Sequence, residues 1–342
     1  MRKSEGLIPG RRLSARTIAL TMAFTLLVVE NSAFSWQVGN PYRAVTTAST
    51  ATAAATDATP PAAVAAETWA GGILDLPNVV LGESWGMPED SWSLQVLPDG
   101  LMYRSYLAGV RESRFASAWV HEEDLGWIWD IALGGRAAIV RYGTEDPIQP
   151  EGFELQIEGA GFPRLDLEHN WDLAAADFRF GIPLVYGTER HQTKFAFYHL
   201  SSHLGDEWMV RNNTLERINY SRNVFVLGRS YSLTKALRLY GEVGWAFDCD
   251  GGSEPWEVQF GVDYLPDYPT GPRGAPFFAL NSHLRQELDF GGNLVAQSGW
   301  KWRGDSGQIF RTGVQYFAGK SEQYEFFNQY EEKLGFGVWY DF

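Results

Sequence analysis

The chain has 342 residues and a formal net charge of −14, and it contains 14 Trp, 15 Tyr and 21 Phe. A chain this acidic is a poor candidate for binding nucleic acid. With Cys249 as its single cysteine it cannot form an intramolecular disulfide. After the first 35 residues no apolar run is long enough for a transmembrane helix, which excludes a helical membrane protein.

Residues 1–35 have the pattern of a cleaved signal peptide. Basic residues that include Arg11 and Arg16 precede the apolar run 18–29, which is shorter than the roughly 20 residues that a spanning helix needs. Ala33-Phe34-Ser35 then offers small residues at the spacing that a signal peptidase recognises. We therefore predict export through this signal.

Two segments without strand pattern follow the signal. Residues 36–68 are predicted to be a disordered linker, because 44–66 consist almost entirely of Ala, Thr, Val and Pro and contain no large apolar side chain. Residues 69–100 contain Trp85 and Trp92 but show no alternation. We predict a periplasmic N-terminal strap packed by its tryptophans, with a plug in a barrel mouth as the alternative.

Residues 101–342 alternate between apolar and polar side chains with a period of two. In 256–264, for example, Trp256, Val258 and Phe260 alternate with Glu257 and Gln259. About twelve such segments, each about as long as the 9 to 11 residues that cross a bilayer, predict an all-β fold: an antiparallel transmembrane β-barrel. The segments lie near 101–109, 127–141, 152–161, 172–182, 193–203, 218–231, 236–247, 256–264, 276–286, 292–302, 308–319 and 333–342.

The polar face of these segments favours a membrane barrel over a soluble sandwich or a lipocalin-like barrel, which would turn its apolar face inward. A lumen that mixes both charge signs fits either a plug of paired side chains or the wall of a narrow channel, and twelve strands do not decide between them. The predicted lumen residues are Glu154, Glu158, Arg179, Arg238, Glu242, Glu257, Asp263, Arg285, Lys301, Arg303 and Arg311.

The last ten residues, 333–342, put Leu334, Phe336 and Phe342 on one fully apolar strand face. This resembles the closing strand of bacterial outer-membrane β-barrels, whose final residue is typically Phe. The resemblance implies location in the bacterial outer membrane, contact with outer-membrane lipids and recognition of the strand ending in Phe342 by the barrel-assembly machinery.

One compact polar constellation lies on the fifth predicted strand. His199, Ser201 and His203 share a strand face with Phe195, and Lys194 lies on the other face. Because Lys194 is better placed toward the lumen, we predict that the His and Ser side chains face lipid near the outer rim. An imidazole beside a hydroxyl at the depth of acyl esters is what a lipid hydrolase needs.

The pair His199 and Ser201 resembles the outer-membrane phospholipase A and lipid A deacylase barrels, which place a His-x-Ser pair on the outward surface of a strand. The resemblance implies Ser201 as nucleophile, His199 as base and a third group on a neighbouring strand that orients the imidazole. Asn219 and Asn223 are candidates for that group, and Asp206 is another. Those families commonly have Asn after the serine, where this chain has Ser202.

Two other interpretations of the constellation remain open. The residues could be interfacial polar groups that bind lipid headgroups, or His203, Asp206 and Glu207 could form a metal site in a loop. His199 and His203 cannot share one ion, because four residues of strand separate them by about 13 Å. The sequence predicts no cofactor.

Three stretches, Trp85–Pro88, Tyr198–Glu207 and Tyr340–Phe342, are together similar to an uncharacterised family of bacterial secreted proteins known only as a domain of unknown function. The resemblance covers roughly residues 80–342, implies a barrel and supplies no activity. The sequence therefore favours a passive barrel, either a narrow channel or a structural protein, with a lipid ester hydrolase as the alternative.

Overall fold

The computed structural model describes residues 92–342, so the predicted signal peptide, the predicted linker and the predicted strap up to residue 91 lie outside the described residues. Within 92–342, no helix has the length and apolar character needed to span a membrane. The described chain forms one short α-helix, α1 (Asp206–Arg211), and thirteen strands. The strands are β1 (Ser93–Val96), β2 (Phe115–Glu122), β3 (Gly126–Gly143), β4 (Gly152–Asp166), β5 (Asp172–Gly187), β6 (His191–Leu204), β7 (Ser221–Ser232), β8 (Leu237–Asp250), β9 (Trp256–Tyr264), β10 (Ala275–Arg285), β11 (Gly291–Arg303), β12 (Ile309–Lys320) and β13 (Tyr330–Asp341).

Twelve of these strands, β2 to β13, form a closed antiparallel barrel. Each strand pairs with the next in chain order, and β13 returns to β2, with Tyr340 opposite Phe115 and Lys333 opposite Glu122. Every barrel strand therefore has two neighbours, which removes the open edges that invite aggregation. The predicted antiparallel barrel of about twelve strands is confirmed.

Side chains alternate between a charged interior and an apolar exterior. On β4, Glu154 and Glu158 are buried, whereas Phe153 is 50% exposed. Arg285 and Arg311, on other strands, are fully buried. This pattern is the reverse of a soluble barrel, because apolar side chains face away from the molecule and ionic side chains face inward. An apolar exterior around a charged interior is typical of a membrane barrel, and the burial confirms that the predicted lumen residues face inward.

Aromatic rings gather on the exterior near both ends of the barrel. At the end that carries Phe342, which we call the terminal end, the rings of Phe153 and Tyr186 lie 4.8 Å apart. Toward the opposite end, the far end, Trp119 stacks on Trp129 at 5.7 Å. Aromatic belts at the two interfaces are typical of membrane barrels.

The chain between β1 and β2 runs through the barrel interior. β1 pairs with the last four residues of β3, and the chain then leaves the wall at Leu97, whose φ of 51° is left-handed. Residues 98–114, which we call the inner segment, include Tyr103 and Tyr106, each only 1% exposed. The wall resumes at β2. The inner segment thus occupies the lumen that the sequence left as either a plug or a channel.

The strand predicted near 101–109 is therefore wrong, since this stretch belongs to the inner segment. Its apolar side chains are buried because barrel wall surrounds them on all sides. The first barrel strand is β2 instead, which the alternation does not predict. Three of the four inward residues of β2 are Ala116, Ala118 and Val120, and only Glu122 at the end of the strand is charged, so its two faces differ little in polarity.

A second stretch fills the interior from the far end. Residues 321–329, between β12 and β13, fold inward, and Glu322 lies with its carboxylate 3.1 Å from Nδ1 of His283. Burial raises the pKa of the Glu322 carboxyl, but the combined effect of His283, Arg285 and Arg111 is larger and lowers it to about 2. Arg111 of the inner segment donates a hydrogen bond to the backbone oxygen of Glu322. The two stretches therefore meet inside the barrel.

An ion pair within the wall holds the inner segment in place through hydrogen bonds. Arg141 lies 2.6 Å from Glu154, and neither side chain is exposed. The same guanidinium donates to the backbone carbonyls of Asp99 and Gly100 where the inner segment begins. Two of the gaps left among the interior side chains have volumes of about 50 and 10 Å³, room for a few water molecules at most.

We expect the purified barrel to show no steady conductance in planar bilayers, because the inner segment and residues 321–329 occupy the lumen. The measurement is single-channel recording across a range of voltages, with a general diffusion porin in the same bilayers as the positive control. Steady ohmic steps from this protein at low voltage would contradict a filled lumen.

Candidate functional site

The constellation predicted around His199 lies on the outer surface of the fifth barrel strand, β6. Lys194 is buried with its amino group 2.6 Å from Glu242, whereas His199 and Ser201 face the exterior with Phe195. Ser201 lies three residues before the far end of β6, where the chain turns toward α1. The predicted outward orientation of both side chains is therefore what the structure shows.

A hydrogen-bonded chain of side chains crosses from β6 to β8 on this outer surface. His199 lies opposite Asn223 of β7, and its Nδ1 is 2.9 Å from Oδ1 of Asn223. Asn223 in turn donates from Nδ2 to Oδ2 of Asp248 at 2.8 Å. Of the candidates for the orienting group, Asn223 is the one in contact with the imidazole.

These contacts set the tautomer of the neutral imidazole. A carboxylate only accepts hydrogen bonds, so Asp248 requires the amino group of Asn223 and leaves the amide oxygen for His199. That oxygen also only accepts, so Nδ1 of His199 carries the hydrogen. The lone pair is then on Nε2, which is the form that a general base needs.

A β-bulge brings Asp248 to the outer surface. Asn223 is opposite Asp248, but the next residue, Val224, is opposite Ala246, so Phe247 is an extra residue in β8. Strict alternation from Trp245 would turn Asp248 inward. With the bulge, both Phe247 and Asp248 are exposed. Bulges commonly re-aim a side chain in this way, and sequence alternation alone cannot locate them.

Ser201 lies two residues beyond His199 on the same face, directly opposite Ser221 of β7. In the part of the chain that the structure describes, the His199 ring and the Ser201 hydroxyl make no hydrogen bond to each other. Two residues of strand span about 7 Å along the backbone. The imidazole and the hydroxyl come closer than this when the two side chains incline toward each other. Catalytic hydrogen bonds are often long before substrate binds.

The other predicted site residues have different surroundings. Asn219 donates its backbone N–H to Glu325, and Asp206 begins α1. His203 is exposed, with its ring 5.8 Å from Phe178. Over residues 92–342, no three His, Cys, Asp or Glu side chains lie close enough together to hold a metal ion. The hypothesis of a site formed by His203, Asp206 and Glu207 gains no support.

A shallow groove of about 340 Å³ adjoins His199 on the outer surface. Its floor is formed by Gly159 and Gly161, which take outward positions on β4 but carry no side chain. Phe178 and Phe180 of β5 line the groove between these glycines and β6. We call this feature the glycine groove.

The fold and surface together define an outer-membrane-type β-barrel with a filled interior. The chain belongs to the family described as "Protein of unknown function (DUF1207)", whose model matches residues 88–342. The predicted membership in a family known only as a domain of unknown function is therefore confirmed.

Two solved structures show the range of similar barrels. The outer membrane phospholipase A from Escherichia coli has a TM-score of 0.44 and 11% identity, covering 67% of this chain and 95% of that one. A KdgM porin has a TM-score of 0.37 and 11% identity, covering 66% of this chain and 99% of that one. No curated protein matches the sequence significantly. At these scores the similarity carries no argument about activity.

Proposed function

We propose that this protein is a lipid ester hydrolase of the outer membrane, of the phospholipase or lipid A deacylase type, with Ser201 as nucleophile and His199 as base. The observation that carries the proposal is the hydrogen bond from Nδ1 of His199 to Oδ1 of Asn223. His199 and Ser201 lie on the same outward face of β6. A base held by a third group next to a hydroxyl is the general arrangement of an activated nucleophile.

The reaction follows from this arrangement. Nε2 of His199 takes the proton of the Ser201 hydroxyl as Oγ bonds to the carbonyl carbon of a lipid ester. The bond from that carbon to the alcohol oxygen then breaks, and His199 returns the proton to the leaving alcohol. Water, deprotonated by the same Nε2, hydrolyses the acyl-serine and releases the fatty acid. Asn223 keeps the imidazole oriented throughout.

The filled lumen favours this role over a diffusion channel. The inner segment and residues 321–329 occupy the interior, so the passive role that the sequence favoured is reduced to a structural barrel. A structural role accounts for His199 only as an interfacial polar group, whereas its hydrogen bond to Asn223 also orients the imidazole on the face that carries Ser201. Polar groups facing hydrocarbon are costly unless they serve a purpose.

The location is part of the proposal. We propose export through the predicted signal over residues 1–35, insertion by the barrel-assembly machinery acting on the strand that ends at Phe342, and contact with outer-membrane lipids. With the terminal end in the periplasm, Ser201 lies near the outer rim, at the depth of acyl esters.

The test is fatty-acid release from phospholipid and from lipid A by the folded barrel in mixed micelles. We expect release from one of these classes, and we expect it to depend on Ser201. If neither substrate is hydrolysed by folded wild-type protein, the hydrolase is rejected and the structural barrel remains.

A further inference from the structure

The glycine groove is a depression in a surface that is elsewhere covered by large side chains. On β4, the outward positions before it carry Phe153, Leu155 and Ile157, all at least 38% exposed. At Gly159 and Gly161 the surface drops to the backbone. Both glycines could carry a side chain: a Cβ at Gly159 would lie 3.6 Å from its nearest atom, and at Gly161 3.3 Å from the movable Phe178 ring. The backbone itself therefore does not require glycine here.

The groove leads away from the candidate site along paired residues of adjacent strands. His199 is opposite Phe180, and Phe180 is opposite Gly159. Two residues further along β4, Gly161 is opposite Phe178 of β5 on one side and Leu133 of β3 on the other. Leu133 is 57% exposed. With about 4.8 Å between strands, the path from β6 to β3 spans about 14 Å. One acyl chain spans one leaflet, which is about half of the roughly 30 Å hydrocarbon core. The path is therefore close to the length of one acyl chain.

The path also leads toward the middle of the membrane. Ser201 lies three residues from the far end of its strand, whereas Leu133 lies seven residues from the far end of β3. Because barrel strands are tilted, a row of paired residues descends as it passes around the barrel. The polar groups therefore lie at the end of the groove that is nearer the far end of the barrel, and the apolar residues lie nearer the middle of the membrane.

We propose that the glycine groove binds one acyl chain of the lipid whose ester lies at Ser201, so that its length selects long-chain substrates. This inference rests on the proposed hydrolase and names the part of the substrate that positions the ester. An acyl chain is the occupant that the surroundings supply, because the groove is apolar, faces the hydrocarbon and is continuous with the His199 site. It fixes the ester beside the nucleophile, which is the positioning effect that accelerates a reaction.

The test fills the groove without touching the polar site. Gly161→Leu and Gly159→Leu place a side chain on the groove floor. Gly241→Leu is the matched control, because Gly241 also takes an outward position on its strand, β8, and a Cβ there would be 3.8 Å from its nearest atom. Each variant is assayed for release of long-chain and short-chain acyl groups. We expect filling the groove to lower long-chain release by at least about tenfold, with short-chain release and Gly241→Leu unchanged.

A second readout does not depend on activity. Ser201→Ala barrels in micelles are irradiated with a phospholipid that carries a diazirine on one acyl chain, and the adducts are mapped by peptide mass spectrometry. We expect adducts concentrated on the peptide that contains Phe178 and Phe180, and lost in Gly161→Leu but not in Gly241→Leu.

The outcomes separate the groove from the proposed function. In one outcome, release depends on Ser201 but keeps its chain-length profile in the filled variants, and the adducts are spread evenly around the barrel. This result would reject acyl-chain binding in the groove and leave the hydrolase. Localised adducts without any hydrolysis would support the groove and reject the hydrolase. Cross-links between two barrels through this surface, or a change of oligomeric state in Gly161→Leu, would show that a second copy occupies the groove and would reject the proposal.

Discussion

Replacing Ser201 by alanine is expected to lower fatty-acid release by about 10³-fold or more, since it removes the proposed nucleophile. His199→Ala should cause a loss of similar size, because without Nε2 the hydroxyl keeps its proton. The double variant should be no worse than either single variant, as residues that act as one unit are not additive. Initial rates at equal folded fraction provide the measurement.

Two matched controls lie on the same surface. His203 is an exposed histidine four residues further along β6, and Ser221 is the serine directly opposite Ser201. We expect His203→Ala and Ser221→Ala to retain wild-type release, because neither takes part in the bond to Asn223. A full loss in Ser221→Ala with activity retained in Ser201→Ala would contradict the assignment of the nucleophile.

Replacing Arg141 by methionine is expected to destabilise the barrel by about 3 to 5 kcal/mol. The change leaves the fully buried Glu154 without its cation and removes the donors to the carbonyls of Asp99 and Gly100. The inner segment is thereby loosened where it enters the lumen. The measurement is the midpoint of urea unfolding of the refolded barrel. Midpoints are compared between variants whose free energy of unfolding has the same dependence on urea concentration.

The control for this prediction is an ion pair at the surface. Arg211 bonds to Asp166 and Asp172 but is 26% exposed, so Arg211→Ala should cost about 0 to 1 kcal/mol. Adding Glu154→Gln to Arg141→Met should recover part of the loss, because it removes the unpaired charge. Equal effects of Arg141→Met and Arg211→Ala would contradict a tightly held inner segment.

Period-two alternation predicts most of this fold, and the reason is physical. A barrel wall between lipid and a polar lumen forces neighbouring residues into opposite environments, as Phe153 and Glu154 show. The same rule placed Lys194 inside and His199 outside. It fails where that contrast is weak, as on β2, whose inward side carries small residues such as Ala116, which packs against the cluster that contains Leu107 of the inner segment.

Other features depend on contacts that no local pattern records. The inner segment resembles a strand in sequence because Leu101 and Tyr103 are apolar, but they are buried by distant strands. Asp248 could not be placed from the sequence, since the bulge at Phe247 reverses the alternation in β8. Choosing Asn223 over Asn219 required the register between β6 and β7, which sequence alone does not fix.

Covalent trapping of the nucleophile tests the central claim most directly. A long-chain alkyl sulfonyl fluoride would transfer its sulfonyl group to an activated serine with loss of fluoride. We predict one adduct per folded barrel, located by peptide mass spectrometry on Ser201 and absent from His199→Ala and from unfolded protein. No adduct on the folded barrel, or an adduct on another residue, would contradict the account.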